Sequence, residues 1–193
     1  IVVLRSANYL FEYALDEYFF FGIFYGMILV FIFYNLLMYF AVRESHYVFY
    51  TLYLVGIGLY EMSADGIGFQ YLWPLAMEWN QYAPGFTLFL ASSAALLFAS
   101  SVLNLRKDEP WLYTLLMSVL CARTVFLVLS VFVYTSWFSF RFVDIIPFSV
   151  ALYAGIYRWV KGYKAARFLV IAYAFLFYGI ISKVSLYFNF TWM

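Results

Sequence analysis

Charge is what this sequence has least of. Only 11% of its 193 residues are Asp, Glu, Lys or Arg, against about 25% in a soluble globular domain. Cysteine is nearly absent: Cys121 stands alone, which excludes an internal disulfide. Set in an apolar stretch, it is expected to be a small buried hydrophobe. Histidine is as rare, with only His46, next to a basic turn. One histidine and one cysteine cannot supply the nitrogen and sulfur ligands of a zinc site or a haem, so no metal and no cofactor is expected. There is no Gly-x-Ser-x-Gly elbow, no His-Glu-x-x-His and no phosphate-cradling glycine loop. The Asp65-Gly66-Ile67-Gly68 stretch lacks a strand–helix context and reads as a turn. No catalytic residue is assigned, and the chain is not expected to be an enzyme. Its net charge of +1 gives nucleic acid nothing to bind.

What the sequence has in abundance is apolar surface. Apolar residues make up 67% and aromatic residues 26%, with a mean hydropathy of +0.89. A single core of this size could not hide that much from water, and the lipid bilayer is the expected partner. Uncharged or nearly uncharged stretches lie near 19–42, 47–62, 84–105, 111–134, 142–160 and 168–188. A bilayer-spanning helix needs about 20 residues. A β-barrel would instead show segments of about 10 residues with alternating polarity. The fold class is therefore all-α, a polytopic transmembrane helix bundle with six visible spans. Residues 1–18 read as a linker or amphipathic helix, with Ile1–Arg5 as the end of a strand from a preceding domain. Residues 19–193 form the bundle. A chain that opens on Ile1 without a signal sequence reads as a piece of a longer protein.

Basic residues cluster in alternate turns. Arg43, Arg106, Lys107, Arg158, Lys161, Lys164 and Arg167 fall on one side, against Arg5, Arg141 and Lys183 on the other. The excess places the seven in the cytoplasm and the N-terminal flank outside. Close helix packing is expected at small residues, with Gly22 and Gly26 on the first span and Ala91, Ala95 and Ala99 on the third.

Ionisable groups at membrane depth are the functional candidates, because burying them costs several kcal/mol unless they are paired. Arg123, in mid-span, is expected to face the interior and pair with Glu61 or Asp144, while Lys183 snorkels to an interface. Asn35, in the first span, is expected to hydrogen-bond to a neighbouring helix. In the 64–84 connection, Asp65, Gln70 and Trp73 are candidates for contact with a preceding domain.

The order of short motifs adds a resemblance. Gly22-Ile-Phe-Tyr-Gly26 and Phe33-Tyr-Asn35 precede Val42-Arg-Glu-Ser-His46 and Tyr47-Val-Phe-Tyr50. Gly66-Ile-Gly-Phe-Gln-Tyr-Leu-Trp-Pro74, Phe98-Ala-Ser-Ser-Val-Leu-Asn-Leu-Arg106 and Ala166-Arg167 follow. Over about residues 19–188 the chain resembles the bacterial seven-transmembrane receptors with diverse intracellular signalling modules. The resemblance implies a sensor bundle in the bacterial inner membrane and a seventh helix beyond the six visible. It also implies two partners in the same polypeptide, an extracytoplasmic sensor domain and a cytoplasmic effector. It supplies no catalytic residues within the bundle. A small-solute or lipid transporter is the alternative, although no paired broken helices are evident. A structural anchor that dimerises attached domains is another, and a homodimer stays open.

Overall fold

The computed structural model describes residues 7–133, 137–138 and 141–187. The expected strand at Ile1–Arg5 and the tail at 189–193 lie outside the described residues, as do the side chains of Arg141 and Lys183. Within them the protein is all-α. Seven α-helices follow one another: α1 (Ala7–Val42), α2 (Ser45–Ala64), α3 (Met77–Val102), α4 (Leu105–Asp108), α5 (Pro110–Phe132), α6 (Ile145–Val160) and α7 (Ala166–Tyr187). A π-helical turn at Gly68–Leu72 and a 3-10 turn at Arg141–Asp144 lie between them.

Among the described residues three stretches are long and apolar enough to cross a bilayer: Leu15–Val42, Met77–Val102 and Pro110–Phe132. The apolar runs Ile145–Val160 and Ala166–Ser182 are shorter. Helix α1 has 36 residues and is about 54 Å long at 1.5 Å per residue. It begins well before the expected span and continues through residues 7–18 without a break.

Helix α3 is the hub. It packs most extensively on α2 and also against α5 and α6, while α1 lies mainly on α2 and α7 mainly on α6. Small residues make this possible. Ala91, Ala95 and Ala99 are almost completely buried, and Gly56 of α2 comes so close to α3 that an added Cβ would sit 2.6 Å from the Ala91 nitrogen. Gly22 and Gly26 behave differently, since a Cβ on either would meet nothing within 4 Å. The stripe of α1 that turns towards α2 is Phe21, Tyr25, Ile28, Ile32, Asn35 and Tyr39, and both glycines lie beside it. Among the described residues neither lies at a helix contact.

The main core cluster runs from Ala95, Leu96, Ala99 and Leu103 on α3 and its end through Leu112 and Leu116 of α5 to Phe148, Ala151 and Ala154 of α6. Much of the remaining surface is large and apolar. Phe19, Phe20, Leu37 and Phe40 on α1 and Phe175 and Tyr178 on α7 are all well over half exposed, as suits helices solvated by lipid. Cys121, expected to be buried, is exposed. Arg123 turns inward, and a residue two positions earlier points about 200° away round the helix. Pro84 lies inside α3, so its ring nitrogen leaves the Asn80 carbonyl without its helical donor.

The close α2–α3 approach yields a prediction. Gly56→Leu should lose at least several kcal/mol of stability, because backbone rather than a flexible side chain blocks the new atoms. Gly22→Leu should cost little. Thermal unfolding of the two variants in detergent would separate them, and equal losses would contradict the packing described.

Candidate functional site

Hydrocarbon offers no water, so polar side chains within the spans must find partners in the protein. Most find one on their own helix. The hydroxyls of Thr51, Ser63, Thr87 and Ser130 donate to carbonyls one turn back, at 2.6–2.8 Å. Asn35 does likewise: it is 6% exposed, and its amide donates to the Phe31 carbonyl at 2.8 Å. A short side chain reaches its own preceding turn more easily than the next helix. The structure thus places this Asn35 bond within α1 rather than across to a neighbour.

A guanidinium cannot be satisfied in this way. Arg123 of α5 donates through Nε and Nη2 to the two carboxylate oxygens of Asp144, both at 2.9 Å. The two side chains are 6% and 4% exposed. Of the two partners expected for Arg123, Asp144 is the one it meets. Asp144 closes the 3-10 turn and stands at the N-cap of α6, where the helix dipole also favours a negative charge. Neither Asp144 oxygen caps its own helix, since both face the arginine. Two aromatic rings flank the guanidinium, Phe89 at 5.5 Å and Phe126 at 5.4 Å. The stack of Trp137 on Phe126 extends this wall, with centroids 5.5 Å apart.

The pair lies deep. Arg123 is nine residues short of the end of α5, about 13 Å along the helix. Helix α6 has only 16 residues because it starts at the depth of the pair. The 3-10 turn Arg141–Asp144 therefore presents Asp144 inside the bundle. Beside the pair, among Gly85, Leu88, Leu127, Ser130 and Phe138, a water centre has about 10 Å³ to occupy. That is room for one water, far below the roughly 300–1,000 Å³ of ligand pockets. The arrangement fastens the turn before α6 to the middle of α5.

The remaining candidates gather at the far end of the bundle, on the 65–76 connection. The Tyr18 hydroxyl of α1 donates to Gln70 Oε1 at 3.3 Å, and Tyr25, seven residues on, donates to Asp65 Oδ2 at 3.1 Å. Trp73 covers Gly68, where a Cβ would lie 2.5 Å from its ring. Its indole N–H donates to Asn80 Oδ1 at 3.3 Å. Glu61 stands one turn before Asp65, whose N–H donates to the Glu61 carbonyl at 2.8 Å. Glu61 and Asn35 do not line the space beside Arg123.

At the opposite, basic end, Arg158 pairs with Asp108 and Lys161 with Glu109. These contacts tie the end of α4 and the residue after it to the last turn and C-cap of α6. The Tyr163 hydroxyl accepts from Asn104 Nδ2 at 3.2 Å and donates to the Val102 carbonyl at 3.1 Å. The Lys161 bond holds the Glu109 carboxyl below the usual carboxylate range, and the same bond raises the Lys161 ammonium. Sequence reasoning passed over these ties, along with Tyr18 and Tyr25. The seven-residue spacing of the two tyrosines puts both on one face of a helix, which was the available signal. Among the described residues no three His, Cys, Asp or Glu side chains are grouped to hold a metal.

Apolar helices joined by an internal charge pair, with basic turns gathered at one end, define an integral membrane protein built as a polytopic helical bundle. The chain belongs to the 7TM diverse intracellular signalling family, whose model matches residues 17–193. No curated protein and no solved structure matches it.

Two outcomes follow. Arg123→Leu or Asp144→Leu alone should lose about 3–5 kcal/mol by stranding one buried charge, while the double replacement should recover much of the loss. Unfolding of the three variants in detergent checks this, and additive losses would dissolve the pair. The second outcome concerns pH. Glu109 has a lowered native pKa, so its tie is intact above the usual carboxylate pKa and is lost as pH falls through the lowered native value. Lys161 is raised, so its share persists below the usual lysine pKa and fades as pH rises through the higher one. The Trp111 indole donates to Glu109 Oε2 at 3.2 Å. Its emission, isolated by subtracting Trp111→Phe, should be flat near neutrality and shift only below about pH 4.

Proposed function

We propose that this chain is the membrane sensor domain of a bacterial receptor in the inner membrane. It carries an extracytoplasmic signal to a cytoplasmic output module of the same polypeptide, and has no catalysis of its own. The basic end, with Arg43, Arg106, Lys107, Arg158, Lys161, Lys164 and Arg167, faces the cytoplasm by the excess of cations in its short turns. The 65–76 connection and the start of α1 then face outwards.

One observation carries the reading. Helix α1 runs unbroken from Ala7 to Val42, and between its start and its middle it is bonded to the 65–76 connection through Tyr18 and Tyr25. A domain preceding Ala7 would act on a rigid rod that crosses the bilayer and is coupled to the outer loop. A displacement of that rod against α2 is felt at the cytoplasmic turn Val42–Ser45. Such a signal shifts the bundle only if the ligand or domain favours one arrangement over another. The small space beside Arg123 supports a relay over a conduit, because it offers no room for a solute.

In the full-length protein, Tyr25→Phe removes a bond of about 0.5–1.5 kcal/mol. Basal output should change about two- to tenfold at unchanged membrane abundance. Replacing residues 65–73 by a Gly-Ser linker should uncouple output from stimulus, and retained coupling would overturn the relay. Solute flux through purified protein in liposomes, against empty controls, would instead favour a transporter. A cysteine at position 107 that is labelled from outside intact cells would reverse the orientation.

A further inference from the structure

A second cavity opens at the basic end, with about 440 Å³ available to water centres. It lies where α2 begins, α3 ends and α5 begins. Its mouth carries Ser45, Ser101, Asn104, Arg106 and Lys107, while Phe49, Leu97 and Met117 form its deeper wall. These three lie about one to two turns inside their helix ends, roughly 6–10 Å into the apolar layer. The cavity is therefore polar and cationic at headgroup depth and apolar at acyl depth.

The charges at its mouth are uncompensated. Asp108 and Glu109, the acids next in sequence, are engaged by Arg158 and Lys161. Arg106 and Lys107 are exposed and enter no salt bridge among the described residues. Glu44, the N-cap residue of α2, is exposed and does not line the cavity.

We propose that this cavity binds an anionic phospholipid of the leaflet at the basic end. The phosphate is held by Arg106 and Lys107 with hydroxyl donors from Ser45 and Ser101, and an acyl chain lies along Phe49, Leu97 and Met117. Basic pockets between helices at this depth suit anionic headgroups, and the volume lies within the ordinary ligand range. A soluble phosphate would satisfy the mouth but not the apolar wall. A peptide segment from an attached module would have to enter the hydrocarbon with its own backbone bonds unmet. The assignment needs the basic end to sit at a headgroup layer and does not depend on the relay reading or on which side that layer faces.

Native mass spectrometry of the full-length protein, titrated with phosphatidylglycerol or phosphatidylcholine, tests it. Phosphatidylglycerol should be retained at least tenfold more tightly. Arg106→Gln with Lys107→Gln should weaken it about twenty-fivefold, at about fivefold per cation. Lys164→Gln with Arg167→Gln removes equal charge outside the cavity and should change binding less than twofold. Leu97→Trp, which fills the apolar wall, should weaken phosphatidylglycerol in a protein of unchanged helicity. Equal retention of the two lipids, or equal effects of the two double variants, would overturn the proposal. Competition by millimolar inorganic phosphate would reassign the mouth to a soluble anion and overturn the lipid. Full-length protein that retains no phosphatidylglycerol would show the cavity filled by protein, with the same result.

Discussion

The absence of water in a bilayer governs this structure. A backbone can meet that constraint by coiling into a helix, and a serine, threonine or asparagine can meet it by bonding to the turn beneath. A mid-span arginine can do neither. Arg123 therefore requires a carboxylate at its own depth, and that requirement shapes the bundle around it. The 3-10 turn before α6 sits at that depth, α6 starts late, and Phe89, Phe126 and Trp137 lie beside the charge. Removing two charges from water is costly, and a buried pair is poor evidence of net stability. What it supplies here is a fixed rotation of α5 and a fixed depth for α6.

The two ends of the bundle are fastened by different means. At the basic end, ion pairs join the end of α4 and the residue after it to the end of α6, and the Tyr163 bridge joins the turns after α3 and α6, next to the dense Leu and Ala core. At the far end the ties are single hydrogen bonds, Tyr18 to Gln70, Tyr25 to the Asp65 carboxylate and Trp73 to Asn80, together with aromatic contacts. Trp73 meets Trp79 at 6.4 Å and Trp79 stacks on Phe86 at 5.4 Å, which reaches Phe138 beside the charge pair at 5.5 Å. Exposed hydrogen bonds contribute little individually. The far end is thus the more easily rearranged of the two, which suits the face that would receive a signal.

Much of this could be read from the amino acids, for identifiable reasons. The helical class followed from apolar stretches too long for strands. The Arg123–Asp144 contact followed from the expense of an unpaired charge at depth, which left two candidate partners. The sequence could not choose between them, because that depended on the depth at which α6 starts. The alanine stripe of α3 was legible because its period matches the helix. Gly22 and Gly26 have the same period, yet which face of α1 meets α2 is decided by the larger residues alongside. The ties at the basic end were invisible, since charged residues in short turns look alike whether paired or solvated.

The proline in α3 has one more consequence. With the Asn80 carbonyl released at Pro84, the hydrogen-bond ladder of the hub helix lacks a rung about one turn from Leu88 and the charge pair, on the side of the 65–76 connection. On the basic side of that rung the helix is clamped through Ala91, Ala95 and Ala99. On the other side, Trp79 and Asn80 are attached to Trp73 and so to the 65–76 connection. A rod bends most easily where a rung is absent. The proline thus sets the softest point of α3 next to the buried charges.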